Sequence, residues 1–325
     1  MTGRPLNRVE VVAPDGVREV RPGADLVELV VPLVDLEDGD VLVVTSKVVS
    51  KAERRVVPGT RDEALAGETV RVVARRGPTT IVRNRLGLTM AAAGIDNSNV
   101  AAGTVALLPL DPDASARGIR TGVRHRTGRN VAVVVTDTAG RAWREGQTDI
   151  AIGAAGLVVA QEYAGRTDAH GNELTVTLPA VADEIAGMAD LAQGKLAGRP
   201  FAVVRGRADL VLPADQDGPG AAALIRREGG DLFGYGAREA VVRALKGDPA
   251  DRTPFGAPAE ADELAAAIRD VLGLVPSHSG RDGGSLLVTF PQGQARALRA
   301  LVFAHGWEVL TTDSPSDARL RPVRP

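Results

Sequence analysis

The sequence predicts a chain of mixed helices and strands that closes with a small α/β domain. Three observations carry this reading. Short apolar runs ended by turn residues recur in the first part, as at Val9 to Ala13 and Val41 to Thr45. Helical stretches fall between them, the clearest from Ala180 to Lys195. Lys246 to Pro258 then gathers prolines and glycines among charged residues and reads as a linker.

Taken in order, Val9 to Ala13 is a strand closed by the turn cluster Pro14-Asp15-Gly16. Asp25 to Val34 is a helix capped by Asp25 and disturbed near its end by Pro32. Asp38-Gly39-Asp40 is a turn, and Val41 to Thr45 is a buried strand without polar alternation. Pro58 to Gly67 is polar and reads as a loop, while Val70 to Ala74 and Thr79 to Val82 fit strand or helix. Met90 to Gly94 is small and apolar, and polarity changes abruptly at Asp96-Asn97-Ser98-Asn99. Thr104 to Leu110 is a strand, and Asp111-Pro112-Asp113 opens a helix to about Arg126. Asn130 to Thr136 is a strand that ends at Asp137, followed by a polar loop from Gly140 to Thr148 and an apolar run from Ile150 to Ala160. Leu174 to Leu178 and Phe201 to Arg205 are strands, and Ala237 to Leu245 is a helix. Beyond the linker come a helix (Ala259 to Leu272), a strand (Ser285 to Phe290), a helix (Gly293 to Ala304) and a strand (Trp307 to Thr311).

Composition narrows the function. A chain of 325 residues allows two or three domains. A formal net charge of -2 argues against a general nucleic-acid or membrane-surface binder. The chain has no cysteine, which excludes disulfides, thiolate metal sites and cysteine nucleophiles. Its four histidines, His125, His170, His278 and His305, include no pair at helical ligand spacing. A metal held here would therefore take oxygen ligands, as magnesium or manganese does. No apolar run reaches the length of about 18 residues needed for a membrane span, and Met1 to Asn7 does not resemble a signal peptide. A cytoplasmic address is expected.

Four segments carry candidate chemistry. In Val133-Val134-Val135-Thr136-Asp137-Thr138 a buried strand presents a carboxylate and a hydroxyl, either to a cation or as an ordinary cap or turn. Asp96-Asn97-Ser98-Asn99, taken alone, reads as a turn, although such side chains also bind metal and phosphate oxygens. Thr45-Ser46-Lys47-Val48-Val49-Ser50-Lys51 is either a phosphate cradle or a solvated loop. Arg141, Arg144 and Glu145 around Trp143 suit an anionic substrate or a charged surface. There is no Walker A pattern and no strand–GxGxxG–helix unit.

Together these segments resemble the coenzyme F420-0:L-glutamate ligases, also described as F420:γ-glutamyl ligases. The resemblance runs through Gly39 to Lys51, Arg85 to Val100, Leu107 to Ser115 and Thr136 to Gly156. It continues through Gly171-Asn172-Glu173-Leu174, Ala182-Asp183-Glu184, Gly194-Lys195-Leu196 and Val203-Val204-Arg205-Gly206, and fades after Asp231-Leu232-Phe233.

The resemblance implies an α+β fold in two parts with a mixed β-sheet across residues 1–245. The linker at 246–258 and a small α/β domain at 259–325 would follow. It implies an intertwined homodimer that uses GTP and Mg2+ or Mn2+ to join L-glutamate to F420-0 through an acyl phosphate, with further γ-linked glutamates added in turn. Asp96, Asp137 and Thr138 would be metal ligands, and Ser46, Lys51 and Asn99 would contact GTP. The nucleotide-contacting segment near the N-terminus falls on Val17-Arg18-Glu19-Val20. Neither a nucleic-acid nor a membrane partner is implied.

The chain departs from the family pattern in places. Gly16-Val17-Arg18 replaces the usual Gly-Leu-Pro, Arg54 replaces a usual glycine, and Arg83 stands where relatives often carry an acidic residue. The segment after the match is too short for the flavin-binding domain that some actinobacterial relatives carry, so no flavin is expected. Two alternatives stay open: a same-fold ligase for another carboxylate acceptor, and a non-catalytic nucleotide-binding regulator.

Overall fold

The computed structural model describes residues 8–231, 233–279, 284–312 and 314–323. The N-terminal Met1 to Asn7, read above as no signal peptide, lies outside the described residues, as does Leu232 of the last matching motif. The chain divides into two compact units, one of residues 1–72 and 77–225 and one of residues 73–76 and 226–325.

The first unit begins with β1 (Glu10–Val12), α1 (Leu26–Val30), β2 (Val41–Thr45), α2 (Ser46–Ala52), β3 (Val56–Pro58) and α3 (Arg61–Glu68). Then come β4 (Thr69–Arg76), whose last residues group with the second unit, β5 (Thr79–Asn84), β6 (Thr89–Ala91) and β7 (Thr104–Ala106). The rest is α4 (Pro112–Thr127), β8 (Ala132–Arg141), β9 (Arg144–Ala155), β10 (Arg166–Thr167), β11 (Glu173–Leu174), α5 (Val181–Gln193) and β12 (Phe201–Arg205).

A five-stranded sheet in the order β1-β12-β2-β8-β9 organises this unit. β2 and β8 are parallel and the other neighbours antiparallel, so the sheet is mixed and the class is α+β, as expected. Both faces of its middle are covered. Leu42, Val44, Val133 and Val135 pack on one side with Val49 of α2 and Ala116 and Val123 of α4. Val41, Val43, Ala132 and Val134 pack on the other with Ile185 and Ala189 of α5. Double coverage is why β2 and the first half of β8 carry unbroken apolar runs rather than alternation.

Several local expectations hold. Asp25 accepts hydrogen bonds from the backbone amides of Val27 and Glu28 and starts α1, which gives way to a 3-10 turn at Val31–Leu33 where Pro32 intervenes. Asp111 caps α4 through the amide of Ala114, and Gly128 ends that helix in the left-handed conformation.

Other expectations are corrected. The segment read as a loop from Pro58 to Gly67 contains helix α3. It is opened by a capping box in which Thr60 and Glu63 bond each other's backbone amides. The strand expected over Thr104 to Leu110 stops at Ala106. Beyond it Pro109 has no amide hydrogen for a ladder, and the carbonyls of Leu108, Pro109 and Leu110 accept from Arg85. The strand expected from Leu174 to Leu178 is only β11, and Val176 and Leu178 beyond it are exposed.

The most consequential correction concerns Asp137. β8 does not end there but runs on to Arg141, and the expected loop from Gly140 to Thr148 forms the far half of a long hairpin with β9. Pairing with β9 satisfies the backbone of these polar residues, so their composition does not break the strand. A register shift between Val135 and Thr136 marks a bulge at this point.

The second unit contains α6 (Ala237–Lys246), α7 (Ala261–Leu272), β13 (Ser277–Ser279), β14 (Ser285–Thr289), α8 (Ala295–Ala304), β15 (Trp307–Thr311) and β16 (Asp317–Pro322). Its antiparallel sheet has the order β13-β14-β16-β15, so β13 and β16 add to the strands read from sequence. Leu264 and Ile268 of α7 and Leu298 and Val302 of α8 pack with Leu286, Val288 and Leu320 of the sheet. Residues 246–258 hold two 3-10 turns, and Arg243 reaches across to Asp251 at 2.8 Å.

Candidate active site

A cavity of about 900 Å3 opens in the first unit beyond the end of β2. The pairing of β2 with β8 stops at Thr45 opposite Thr136. Asp137 and Thr138 therefore lie just past the last residue that β2 covers, with α2 starting at Ser46 beside them. β8 is a continuing strand here, yet the end of its parallel neighbour still creates the opening.

Strand alternation divides the site. Asp137 follows the face of Val133 and Val135 and meets α2, where the Ser46 hydroxyl donates to its Oδ1 at 2.7 Å. Thr136 and Thr138 follow the opposite face. Both hydroxyls donate to Asp149 of β9, at 2.9 and 2.8 Å. Lys195, just past α5, donates from Nζ to the Thr138 hydroxyl at 3.0 Å.

Asp96 reaches the cavity from another direction. Its backbone forms an isolated antiparallel bridge with Ala106, and the preceding Ile95 is buried in a satellite core with Val82 and Val105. This anchors the residue. Its carboxylate meets Lys47 Nζ at 2.6 Å and accepts from the amide and hydroxyl of Ser98 at 2.8 and 2.9 Å. Asn99 follows in the left-handed conformation with φ 53°. The sequence reading of this segment as a turn was right, and the turn also delivers Asp96 to the cavity.

The electrostatics separate the two aspartates. Burial pushes the Asp137 carboxyl up to about 7; the Ser46 hydrogen bond opposes this, and the charges of Asp149 and Asp96 add to it. Burial acts on Asp96 in the same sense, but hydrogen bonds from Lys47 and Ser98 outweigh it and hold that carboxyl below the ordinary range. Asp149 is raised by burial, partly offset by the Thr138 and Thr136 hydroxyls. Acidic groups thus crowd one region, and a bound cation would relieve their mutual repulsion.

The donor set fits a hard cation in a particular way. Among the described residues, no three histidine, aspartate or glutamate side chains form a group able to hold an ion by themselves. Asp96 and Asp137 offer carboxylate oxygens and Thr138 a hydroxyl, which leaves the remaining positions to water or ligand phosphates. Magnesium bound alongside a nucleotide is commonly held in this manner.

All ten residues singled out from the sequence line this one cavity. They are Val17, Arg18, Glu19, Val20, Ser46, Lys51, Asp96, Asn99, Asp137 and Thr138. Among them Lys51 Nζ meets Glu19 at 2.6 Å. Arg141 and Arg144 are not part of the lining; they flank the turn of the β8–β9 hairpin. Asp149, Asp190, Gln193 and Lys195 line the cavity but were not anticipated as site residues. A hairpin reading of residues 132–155 would have revealed Asp149, because the register pairs it with Thr138.

Comparison with known proteins identifies the family. The profile of the family described as F420-0:Gamma-glutamyl ligase matches residues 16–64 and 60–206. The chain is 41% identical over 219 residues to a protein named coenzyme F420:L-glutamate ligase from Archaeoglobus fulgidus, covering 61% of this chain and 88% of the relative. It is 39% identical over 256 residues to one of the same name from Methanopyrus kandleri, covering 72% of this chain and all of the relative. A third of that name, from Haloarcula marismortui, is 39% identical over 223 residues, covering 61% of this chain and 87% of the relative.

Proposed function

The chain belongs to the F420-0:gamma-glutamyl ligase family, and on that premise we propose that it is a GTP-dependent ligase that joins L-glutamate to coenzyme F420-0 and then adds further γ-linked glutamates. The observation that carries the reading is the convergence of the ten residues on one cavity, with an acidic pair in reach of a lysine-bearing wall. A volume of about 900 Å3 suits a nucleotide with part of a second substrate.

A free carboxylate is a poor acyl donor because its oxygen leaves badly. In the proposed reaction the terminal carboxylate oxygen of F420-0 attacks the γ-phosphorus of GTP, and the bond to the β-phosphate oxygen breaks to release GDP. The amine of L-glutamate then attacks the carbonyl carbon of the acyl phosphate. The amide bond forms, inorganic phosphate departs with the acyl oxygen, and the amine loses a proton to solvent.

The chain's own residues bind and orient in this scheme. Asp96 and Asp137 would hold Mg2+ or Mn2+, with Thr138 contributing to a second metal position, and such a cation neutralises charge on the β- and γ-phosphates. Ser46 fixes the Asp137 carboxylate by its hydrogen bond. Asp149 accepts a hydrogen bond from the Thr138 hydroxyl and so fixes its orientation. Lys51 supplies a fixed positive charge for phosphate once it leaves Glu19. Val17, Arg18, Glu19, Val20 and Asn99 border the nucleotide. The active species is proposed to be a homodimer.

Mass spectrometry of the products from F420-0, GTP, Mg2+ and L-glutamate tests the proposal. The expected product is F420-0 carrying one or more glutamates, with phosphate release that requires both acceptor and amino acid. Phosphate release that ignores F420-0, or a glutamate adduct of some other carboxylate alone, overturns the acceptor assignment.

A further inference from the structure

Lys47 lines the cavity and stands where the ligase reading puts a cation. Its Nζ meets Asp96 Oδ2 at 2.6 Å and donates to the Ser98 hydroxyl at the same distance. That hydroxyl donates to Oδ2 as well, at 2.9 Å, and the Ser98 amide donates to Oδ1 at 2.8 Å. With two donors on it, Oδ2 has no lone pair left. As the side chains stand, a cation could reach only Oδ1, on the same carboxylate as an ammonium.

The two aspartates differ in this respect. Ser46 and Lys47 are consecutive at the start of α2, and each holds one of them. The Ser46 hydroxyl is neutral and can go on donating to Asp137 while a cation takes the other oxygen. Lys47 carries a full charge. A divalent ion on Asp96 would face it across one carboxylate, where the repulsion is twice that between unit charges at the same distance. The Lys47 side chain is only 22% exposed, so water and salt screen it poorly.

A permanent strut is the competing role for this ion pair, and the anchoring of Asp96 argues against it. The Asp96 backbone is bridged to Ala106, Ile95 before it is buried, and Ser98 bonds both carboxylate oxygens. The carboxylate is therefore held without Lys47, whose long flexible stem lets the ammonium leave. Lys195 repeats the pattern at the Thr138 hydroxyl, which it bonds at 3.0 Å.

We propose that Lys47 is a tethered stand-in for the cation on Asp96: it neutralises the carboxylate in the ligand-free protein and is expelled when a divalent cation seats there. The freed ammonium turns into the cavity, where the phosphates of a bound nucleotide take it up. Cation and nucleotide then bind cooperatively, because the cation frees the charge that the nucleotide accepts. The inference rests on the metal assignment in the ligase reading above.

Two measurements test it. The first follows Mn2+ binding by electron paramagnetic resonance with and without GDP. Without GDP, Lys47→Met is expected to bind Mn2+ about tenfold or more tightly than wild type, the reverse of what loss of a strut would do. GDP should tighten Mn2+ binding less in the variant than in wild type. The second uses wild type alone, with lysine acetylation read by mass spectrometry. Mn2+ without nucleotide should raise labelling of Lys47 several-fold and leave that of Lys51, which is held by Glu19, unchanged. Unchanged Lys47 labelling while Mn2+ binds, an equal rise at both lysines, or Mn2+ binding no tighter in Lys47→Met overturns the exchange and leaves the ligase reading standing. The labelling decides even if Lys47→Met does not fold. Wild type that takes up no Mn2+, with or without GDP, overturns the metal assignment and the exchange together. Exchange in a protein that makes no F420 product upholds the inference and overturns the acceptor assignment instead.

Discussion

Ser46 and Asp137, 91 residues apart, are joined by a 2.7 Å hydrogen bond where the parallel pairing of β2 and β8 ends. The bond favours the ionised carboxylate, the form that a cation needs. Removing the hydroxyl costs that form about 1.5–3 kcal/mol, as expected for a hydrogen bond to a charged group. Ser46→Ala should therefore raise the half-saturating Mg2+ concentration about tenfold or more. Asp137→Asn should lower turnover roughly 100-fold or more at any Mg2+ concentration. Magnesium titrations of turnover for both variants provide the check, and near-normal turnover in Asp137→Asn would remove Asp137 from the metal site.

The Asp137 carboxyl also predicts how the ligand-free fold responds to pH. Its affinity for a proton is raised from 3.8 to about 7 by burial, with Asp149 and Asp96 adding to the shift. The folded state thus holds this proton more tightly than the unfolded chain does. The associated stability is fully present below about pH 4 and is lost as pH rises through 7. Denaturant midpoints of wild type minus Asp137→Asn, taken from pH 5 to pH 8, should fall across that window. Mg2+ with GDP should flatten the slope, because a cation replaces the proton as the carboxylate's partner.

Arg54 offers a third test. The end of α2 is a Schellman motif, with the amide of Arg55 bonded to Ser50 O at 2.8 Å and that of Arg54 to Lys51 O at 3.2 Å. Such an ending places the residue after the cap in the left-handed region, and Arg54 sits there with φ 61°. This explains why the related ligases usually carry glycine at the position. A side chain in that conformation costs about 1–2 kcal/mol, part of which glycine returns through its freer unfolded state. Arg54→Gly should raise unfolding stability by about 0.5–1 kcal/mol, read as a higher denaturant midpoint at unchanged slope.

These residues also show what the sequence can disclose. β2 and the first half of β8 were legible because both sheet faces are covered and their residues are uniformly apolar. Asp137 was legible as a site residue because polarity appears there suddenly. Its setting was misread because the strand is carried onward by β9 rather than by its own composition. Thr136 and Thr138 meet one carboxylate and Asp137 meets α2, a division set by alternation and invisible in a list of motif residues. Gln193 carried no signal at all, since an amide at the end of an amphipathic helix looks like surface until its burial is known.

Helix α3 makes the same point through stability. Its only fully buried residue is Glu68, which bonds Arg55 and Arg85, and its apolar contact is confined to the partly buried Ala64 and Leu65 against the satellite core. The polar composition that suggested a loop is real. What starts the helix is the reciprocal pair Thr60 and Glu63, with the Glu63 carboxylate on the Thr60 amide at 2.7 Å and the Thr60 hydroxyl on the Glu63 amide at 3.3 Å. A helix of eight residues cannot sustain itself in isolation, so loss of its start should be felt along its whole length. Thr60→Ala should cost about 1 kcal/mol, and amide exchange should quicken together across residues 61–68 while the β2 and β8 amides keep their protection. Protection unchanged at 61–68 would mean that the Glu68 ion pairs and the packing of Ala64 and Leu65 hold the helix without its cap.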